Sequence, residues 1–309
     1  MMVSLFCILL GFILLYFGAE WLVKGSASLA LKAGISPLIV GLTIVAMGTS
    51  TPELLVSTLS SLRNAGDLAL GNVIGSNIFN IAVILGVASL FSPMKIHKQI
   101  LKFDVPVMII ATAVLLIFIA DRTISRVEGV ILTCGISAYL INSVFLARKE
   151  KQKVDLQESA SSKLWLDIML LAAGIALLVS GSHFLVEGAV KLARFWGVSE
   201  AVIGLTIVAT GTSLPELATS IVAGLKKEED IAIGNIVGSN IFNILSILGI
   251  TSVLAPIKAC GIGFYDLLFM VLSVAFVTLF ILTGRSLRRW HGAILLCLYG
   301  TYLVMIWPK

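Results

Sequence analysis

Residues 41–54 read GLTIVAMGTSTPEL, and residues 204–217 read GLTIVATGTSLPEL. Farther along each copy, GNVIGSNIFNI at 71–81 is answered by GNIVGSNIFNI at 234–244. Both pairs are related by the same offset of 163 positions, and between 41–93 and 204–256 there are 30 identities in 53 ungapped positions. The offset also pairs Gly11 with Gly174, Gly18 with Gly181, Pro93 with Pro256, Gly129 with Gly292 and Cys134 with Cys297. The duplication therefore spans nearly the whole chain, and the fold has to be read as two copies of one unit.

Composition fixes the solvent of that unit. Of the 309 residues, 58% are hydrophobic and only 13% are charged, where an ordinary soluble domain carries about 25% charge. A disordered chain, a nucleic-acid binder and a disulfide-stapled secreted scaffold are excluded, because each needs a polar or cysteine-rich composition. Cys7, Cys134, Cys260 and Cys297 form no CxxC pair. The chain reads as an all-α membrane protein lying in the lipid bilayer.

Each copy contains five apolar segments, at 3–23, 37–62, 69–91, 103–120 and 126–147, then at 165–186, 200–225, 231–254, 264–283 and 288–307. The expected architecture is ten transmembrane helices. An odd number of crossings per copy places the two copies in opposite orientations, the inverted-repeat design of many secondary transporters. Residues 1–146 form the first five-helix repeat, 147–163 a polar linker and 164–309 the second repeat. With the linker in the cytoplasm and both termini outside, Lys and Arg divide 15 inside to 7 outside, the bias expected of cytoplasmic loops.

Most Asp and Glu stand near segment ends, but Glu53 and Glu216, which are repeat partners, fall well inside apolar segments. An ionised side chain at that depth costs several kcal/mol unless it is paired or binds an ion, and neither segment holds a basic residue at membrane depth. Thr49 lies one turn before Glu53, and Pro52 cannot donate a hydrogen bond and crowds the carbonyl of Gly48. Thr212, Pro215, Gly211 and Glu216 repeat the device. Carboxylate, hydroxyl and carbonyl oxygens are hard ligands suited to Ca2+ and Na+. In the second motif Asn72, Ser76 and Asn80 recur every fourth position, as do Asn235, Ser239 and Asn243, beside the GxxxG pairs Gly71/Gly75 and Gly234/Gly238. These amides and hydroxyls can hold helices together or complete a shared midplane site.

Glu20, Asp104, Asp167 and Asp266 lie close to segment ends and are expected to be interfacial anchors, and His97, His183 and His291 have no His at the partner position. No HExxH, GxSxG or Walker motif occurs, so neither an enzyme nor a bound cofactor is expected. No protein partner is indicated.

The two motifs resemble those of the calcium/cation antiporter superfamily, in particular the prokaryotic sodium/calcium exchangers, whose two alpha-repeats carry GTSxPE and GNxxGSNIxN. The resemblance implies a plasma-membrane antiporter with Ca2+ and Na+ as transported ions, its cation sites built by the second, third, seventh and eighth helices. Carried over by position, the implied ligands are Thr49, Ser50, Glu53, Ser76 and Asn80 with Thr212, Ser213, Glu216, Ser239 and Asn243, and the backbone carbonyls of Ala46 and Ala209. It also implies that the first and sixth helices slide against the rest to switch access. Many relatives have Asp where this chain has Asn243, which leaves two acidic groups at the centre. The expected function is Na+/Ca2+ exchange. A Ca2+/H+ or other cation/H+ antiporter on the same scaffold and, in another class, a passive cation channel are the alternatives.

Overall fold

In a bilayer every backbone N–H and C=O must be satisfied within the span, so apolar segments of this length become helices. The computed structural model describes residues 2–91, 93–150, 164–197, 209–284 and 286–306. Among them the helices are α1 (Met2–Ala33), α2 (Pro37–Thr49), α3 (Thr51–Leu62), α4 (Gly66–Phe91), α5 (Ile100–Asp121), α6 (Arg126–Glu150), α7 (Leu164–Phe195), α8 (Leu214–Leu225), α9 (Glu229–Leu254), α10 (Phe264–Gly284) and α11 (Arg289–Ile306). Eight are long and apolar enough to cross a membrane, or nine if α2 and α3, bent by 44° at their junction, count as one broken span. The ten expected segments map onto these helices. The seventh is represented by α8 and a turn at Ala209–Gly211, and its residues 200–208 fall outside the described residues, as does most of the 147–163 linker.

The chain separates into two compact units, one drawn from Met1–Pro52 and Ala147–Asn235 and the other from Glu53–Leu146 and Ile236–Lys309, so each takes residues from both repeats. In the first unit α1 and α7, each 32 residues long, run antiparallel. Glycines spaced by seven (Gly11, Gly18 and Gly25 on α1, Gly174, Gly181 and Gly188 on α7) bring the backbones together. A Cβ at Gly11 would stand 2.7 Å from Leu185 N, and one at Gly18 2.8 Å from Leu178 N. Because α1 and α7 are equivalent helices of the two repeats, their antiparallel contact is the inversion itself. Large side chains such as Phe6, Leu9, Phe12 and Ile13 are exposed, as befits a lipid-facing surface.

Both helices outrun the expected segments, which ended near 23 and 186. The extension of α1 carries Lys32, which finds a partner on α7. Lys32 forms an ion pair with Asp167, which is 1% exposed, and Lys226 reaches Glu20 at 2.9 Å. Asp167 is thus a buried ion-pair member rather than an interfacial anchor, and removing one partner of such a pair typically costs about 3–5 kcal/mol. Its repeat partner position is Ser4 and that of Lys32 is Phe195, so the pair has no counterpart.

In the second unit the last helix of each repeat packs against the third helix of the other. Gly129 of α6 faces Gly249, Ser252 and Val253 of α9, and Gly292 of α11 faces Gly86, Ser89 and Leu90 of α4. Two short antiparallel ladders are exchanged in the same way, Met94–Lys95 with Ser286–Leu287 and Thr123–Ile124 with Ile257–Lys258. Tyr139 donates to Asp104 Oδ1 at 3.1 Å, and Tyr302 to Asp266 Oδ1 at 2.9 Å. The tyrosines obey the 163 offset but the aspartates miss it by one position. Asp104 closes a π-helical turn at Ile100–Asp104, whereas Asp266 lies in the first turn of the α-helical α10. Asp104 is fully buried and so is not the interfacial anchor its position in the segment suggested.

Candidate cation-binding site

The GTSxPE motif breaks its helix at the serine. Ser50 (φ −81°, ψ 9°) and Ser213 (φ −87°, ψ 7°) adopt the same conformation, in a sparsely populated region of backbone space often used at functional sites. A new helix starts at the next residue in both repeats, with the proline second and the glutamate third. Pro52 and Pro215 therefore sit where a helix has no N–H bond to lose. Glu53 and Glu216 sit in first turns, where the positive end of the helix dipole favours a carboxylate. This differs from the expectation that Thr49 and Glu53 share one continuous helix face: the break falls between them, because Ser50 leaves the helical region before Thr51 begins the next helix.

In the first unit, Glu216 is fully buried and its Oε1 accepts the Ser50 hydroxyl at 2.9 Å, linking a residue of each repeat. The Thr49 hydroxyl lies 3.0 Å from Asn235 Oδ1, 3.1 Å from the carbonyl of Val45 and 3.3 Å from that of Ala46. Ala46 follows a π-helical turn at Gly41–Val45, and its carbonyl also accepts the Ser50 N–H at 3.0 Å. Ser213 is buried and Thr212 half-buried just ahead of α8, and Ala209 opens the turn that precedes them.

The second unit holds Glu53, Ser76, Asn80, Ser239 and Asn243, all fully buried. The Ser76 hydroxyl lies 3.5 Å from Glu53 Oε1, at the limit of a hydrogen bond. Asn80 and Asn243 begin repeat-related π-helical turns, Asn80–Leu85 and Asn243–Leu248, a distortion frequent at functional sites. One turn beyond, Ser89 and Ser252 donate to the carbonyls of Leu85 and Leu248. Among the described residues, neither side-chain polar atom of Asn80 or Asn243 has a hydrogen-bond partner, and nor does the Ser239 hydroxyl. Burying such a group without a partner costs about 1–3 kcal/mol, and two amides and a hydroxyl share this condition. By contrast the neighbouring Asn77 and Asn240 donate to Val73 and Ile236 carbonyls of their own helices at 2.7 Å.

The structure thus gathers Thr49, Ser50 and Glu216 in one unit and Glu53, Ser76, Asn80, Ser239 and Asn243 in the other. Two residues of the second motif do something the spacing did not reveal. Asn72 Nδ2 donates to the main-chain carbonyl of Glu53 at 3.2 Å and to Ser57 Oγ at 2.9 Å. Asn235 Nδ2 donates to the carbonyl of Glu216 at 3.3 Å and to Ser220 Oγ at 3.1 Å. The signal available in sequence was the repeat of Ser57 as Ser220, an identity inside an otherwise divergent stretch. Gly234 makes the close backbone approach expected of its GxxxG pair, 2.8 Å from Leu38 O and 2.9 Å from Leu42 N for an added Cβ, but Gly71 and Gly75 do not: among the described residues a Cβ at Gly71 would meet only Ile262 Cδ1 at 3.7 Å and one at Gly75 nothing within 4 Å. His183 and His291 do not enter the site. His183 is exposed in α7, and His291 accepts the Arg288 N–H and stacks on Phe280.

The family described as "Sodium/calcium exchanger protein" matches residues 3–147 and 166–307. A putative antiporter CaxA of Alkalimonas amylolytica is 38% identical, with 100% of both chains covered. The sodium/calcium exchanger MaX1 of Methanosarcina acetivorans is 32% identical over 98% of each. Among solved structures, the sodium-calcium exchanger NCX_Mj soaked with 2.5 mM Na+ and 0.1 mM Ca2+ superposes with a TM-score of 0.85 at 31% identity, covering 99% of both chains. With two alpha-repeats, the same helical architecture and matches over nearly its full length, this chain belongs to the sodium/calcium exchanger family of membrane antiporters.

Proposed function

We propose that the protein exchanges Na+ for Ca2+ across the plasma membrane by alternating access, expelling Ca2+ at the expense of the inward Na+ gradient. The observation that carries this reading is the pair of fully buried glutamates, Glu53 and Glu216, each at the start of a broken helix and each accompanied by neutral oxygen donors. Broken helices at membrane depth are the usual means by which transporters present ions with first-turn groups and freed carbonyls. The ligand set is Glu53 and Glu216, the hydroxyls of Thr49, Ser50, Ser76, Thr212, Ser213 and Ser239, the amides of Asn80 and Asn243, and the carbonyls of Ala46 and Ala209. Two carboxylates balance one Ca2+, and Asn80 and Asn243 add dipoles without adding charge.

Support for Na+ as the counter-ion comes from the hydroxyls, which suit a weakly charged hard cation, and from the naming of MaX1 and NCX_Mj as sodium/calcium exchangers. Both termini lie outside and the 147–163 linker inside, on the charge bias of the loops. The test is Ca2+ flux into proteoliposomes under an imposed Na+ gradient, an imposed H+ gradient or none. Flux driven by Na+ alone is expected. Flux driven by H+ would replace the counter-ion, and flux with no counter-ion would indicate a channel.

A further inference from the structure

The contacts of Asn72 and Asn235 form a duplicated device. Each amide spends both of its N–H groups on one neighbouring helix turn: one on the glutamate carbonyl, one on the serine hydroxyl four residues later. The four distances lie between 2.9 and 3.3 Å. All six residues are buried. What surrounds the two devices differs. Ser57 passes its own proton to the Ala69 carbonyl at 3.2 Å, whereas Asn235 Oδ1 receives the Thr49 hydroxyl at 3.0 Å. The shared element is the hold on the glutamate.

That hold answers a local weakness. Each glutamate follows a proline that contributes no N–H and a serine outside the helical region, so the turn carrying the carboxylate is poorly tethered to the helix before it. A donor from the adjacent helix, reaching the glutamate's own carbonyl, fixes the point from which the carboxylate extends. We propose that Asn72 and Asn235 are positioning residues for cation binding: their amides clamp the main chain of Glu53 and Glu216 and so set where the two carboxylates stand. Asn235 also fixes the Thr49 hydroxyl, and thereby couples a ligand of the first repeat to the acid of the second. This inference rests on the cation-site reading above.

The test uses the full-length protein, with Ca2+ binding measured calorimetrically in detergent and transport measured in vesicles. The variants are Asn72→Ala, Asn235→Ala, Ser57→Ala and Ser220→Ala. The serine variants remove the amide's second partner but leave its bond to the glutamate carbonyl. Loss of an outer-shell contact typically weakens metal binding by about 10–100-fold, so the asparagine variants should bind Ca2+ at least about tenfold more weakly and the serine variants less than about twofold. Half-saturating Ca2+ for transport should rise in parallel for the asparagine variants, with the maximal rate nearly unchanged. Equal weakening in the asparagine and serine variants would show that the amides only pack helices together, and would overturn the clamp. If the alanine forms are not recovered, Asn72→Ser and Asn235→Ser leave a smaller void and are judged by the same comparison. Failure of both forms to fold without Ca2+ would also refute the proposal, because the residue would then serve the fold itself. Wild-type protein that binds no Ca2+ would refute the cation site instead.

Discussion

Replacing Gly18 by Ala places a methyl group 2.8 Å from Leu178 N, 2.9 Å from Gly174 O and 3.0 Å from Leu177 Cβ. Ordinary contact begins at 3.4 Å, so the new carbon is short of room by about 0.6 Å. The two nearest atoms are backbone of α7, which cannot rotate aside, and the helices must part to make space. A gap of about 0.5–1 Å forfeits a quarter to a half of each dispersion contact along the seam, and overpacking of this kind costs about 1–3 kcal/mol. Alanine returns about 1 kcal/mol of helix propensity over glycine, which leaves a net loss of about 1 kcal/mol. Gly300, exposed in α11 with nothing near a Cβ, has only the propensity term, and Gly300→Ala should stabilise by about 1 kcal/mol. Thermal unfolding in detergent should therefore rank Gly300→Ala above wild type and Gly18→Ala below it. Gly181→Ala, whose Cβ would meet Leu15 N at 2.8 Å, should add less than its own cost to Gly18→Ala, since one separation of the helices relieves both clashes. Gly18→Ala as stable as wild type would show that α1 and α7 are not held by backbone contact.

Further outcomes follow from the site. Glu53→Gln and Glu216→Gln should each abolish exchange while the protein still inserts and folds, because each removes a full charge from a buried position with little change in volume; near wild-type flux in either would remove that residue from the site. Ser76→Ala and Ser239→Ala should weaken Na+ dependence more than Ca2+ affinity, a split read from transport at varied Na+ and Ca2+, and equal loss of both would reduce the hydroxyls to packing. Cys260, exposed between α9 and α10, should react with a membrane-impermeant thiol reagent added to intact cells, and a Cys260→Ser control should abolish that labelling. Protection of Cys260 until the cells are opened would reverse the topology.

The duplication made the architecture legible, because a repeat offset needs no knowledge of tertiary contacts. It located both glutamates and the Asn80 and Asn243 positions, since buried polar residues stand out against an apolar background. Three features were not legible. The break between Thr49 and Glu53 depends on Ser50 leaving the helical region, and a proline in sequence is equally compatible with a kink inside a continuous helix. The Lys32–Asp167 pair joins residues 135 positions apart, one in the loop after the first segment and one near a segment end, where exposure to water was the simpler reading. The Asn72 and Asn235 contacts run to main-chain carbonyls, which carry no residue identity and leave no trace in a motif.

The unmatched ion pair in the first unit bears on which way the empty transporter faces. If the two repeats were identical, exchanging their roles would convert an inside-open form into an outside-open one with every contact preserved, and the two forms would be equally populated. In the absence of a membrane potential, only differences between the repeats can tilt that balance. Lys32 and Asp167 are such a difference, a part-buried ion pair where the mirrored positions hold Phe195 and Ser4. A bias of about 1.4 kcal/mol makes one orientation tenfold more abundant than the other. Because Lys32 and Asp167 stand on α1 and α7, the pair travels with both helices, and it would tilt the balance only where one form strained that shared body against the rest of the protein.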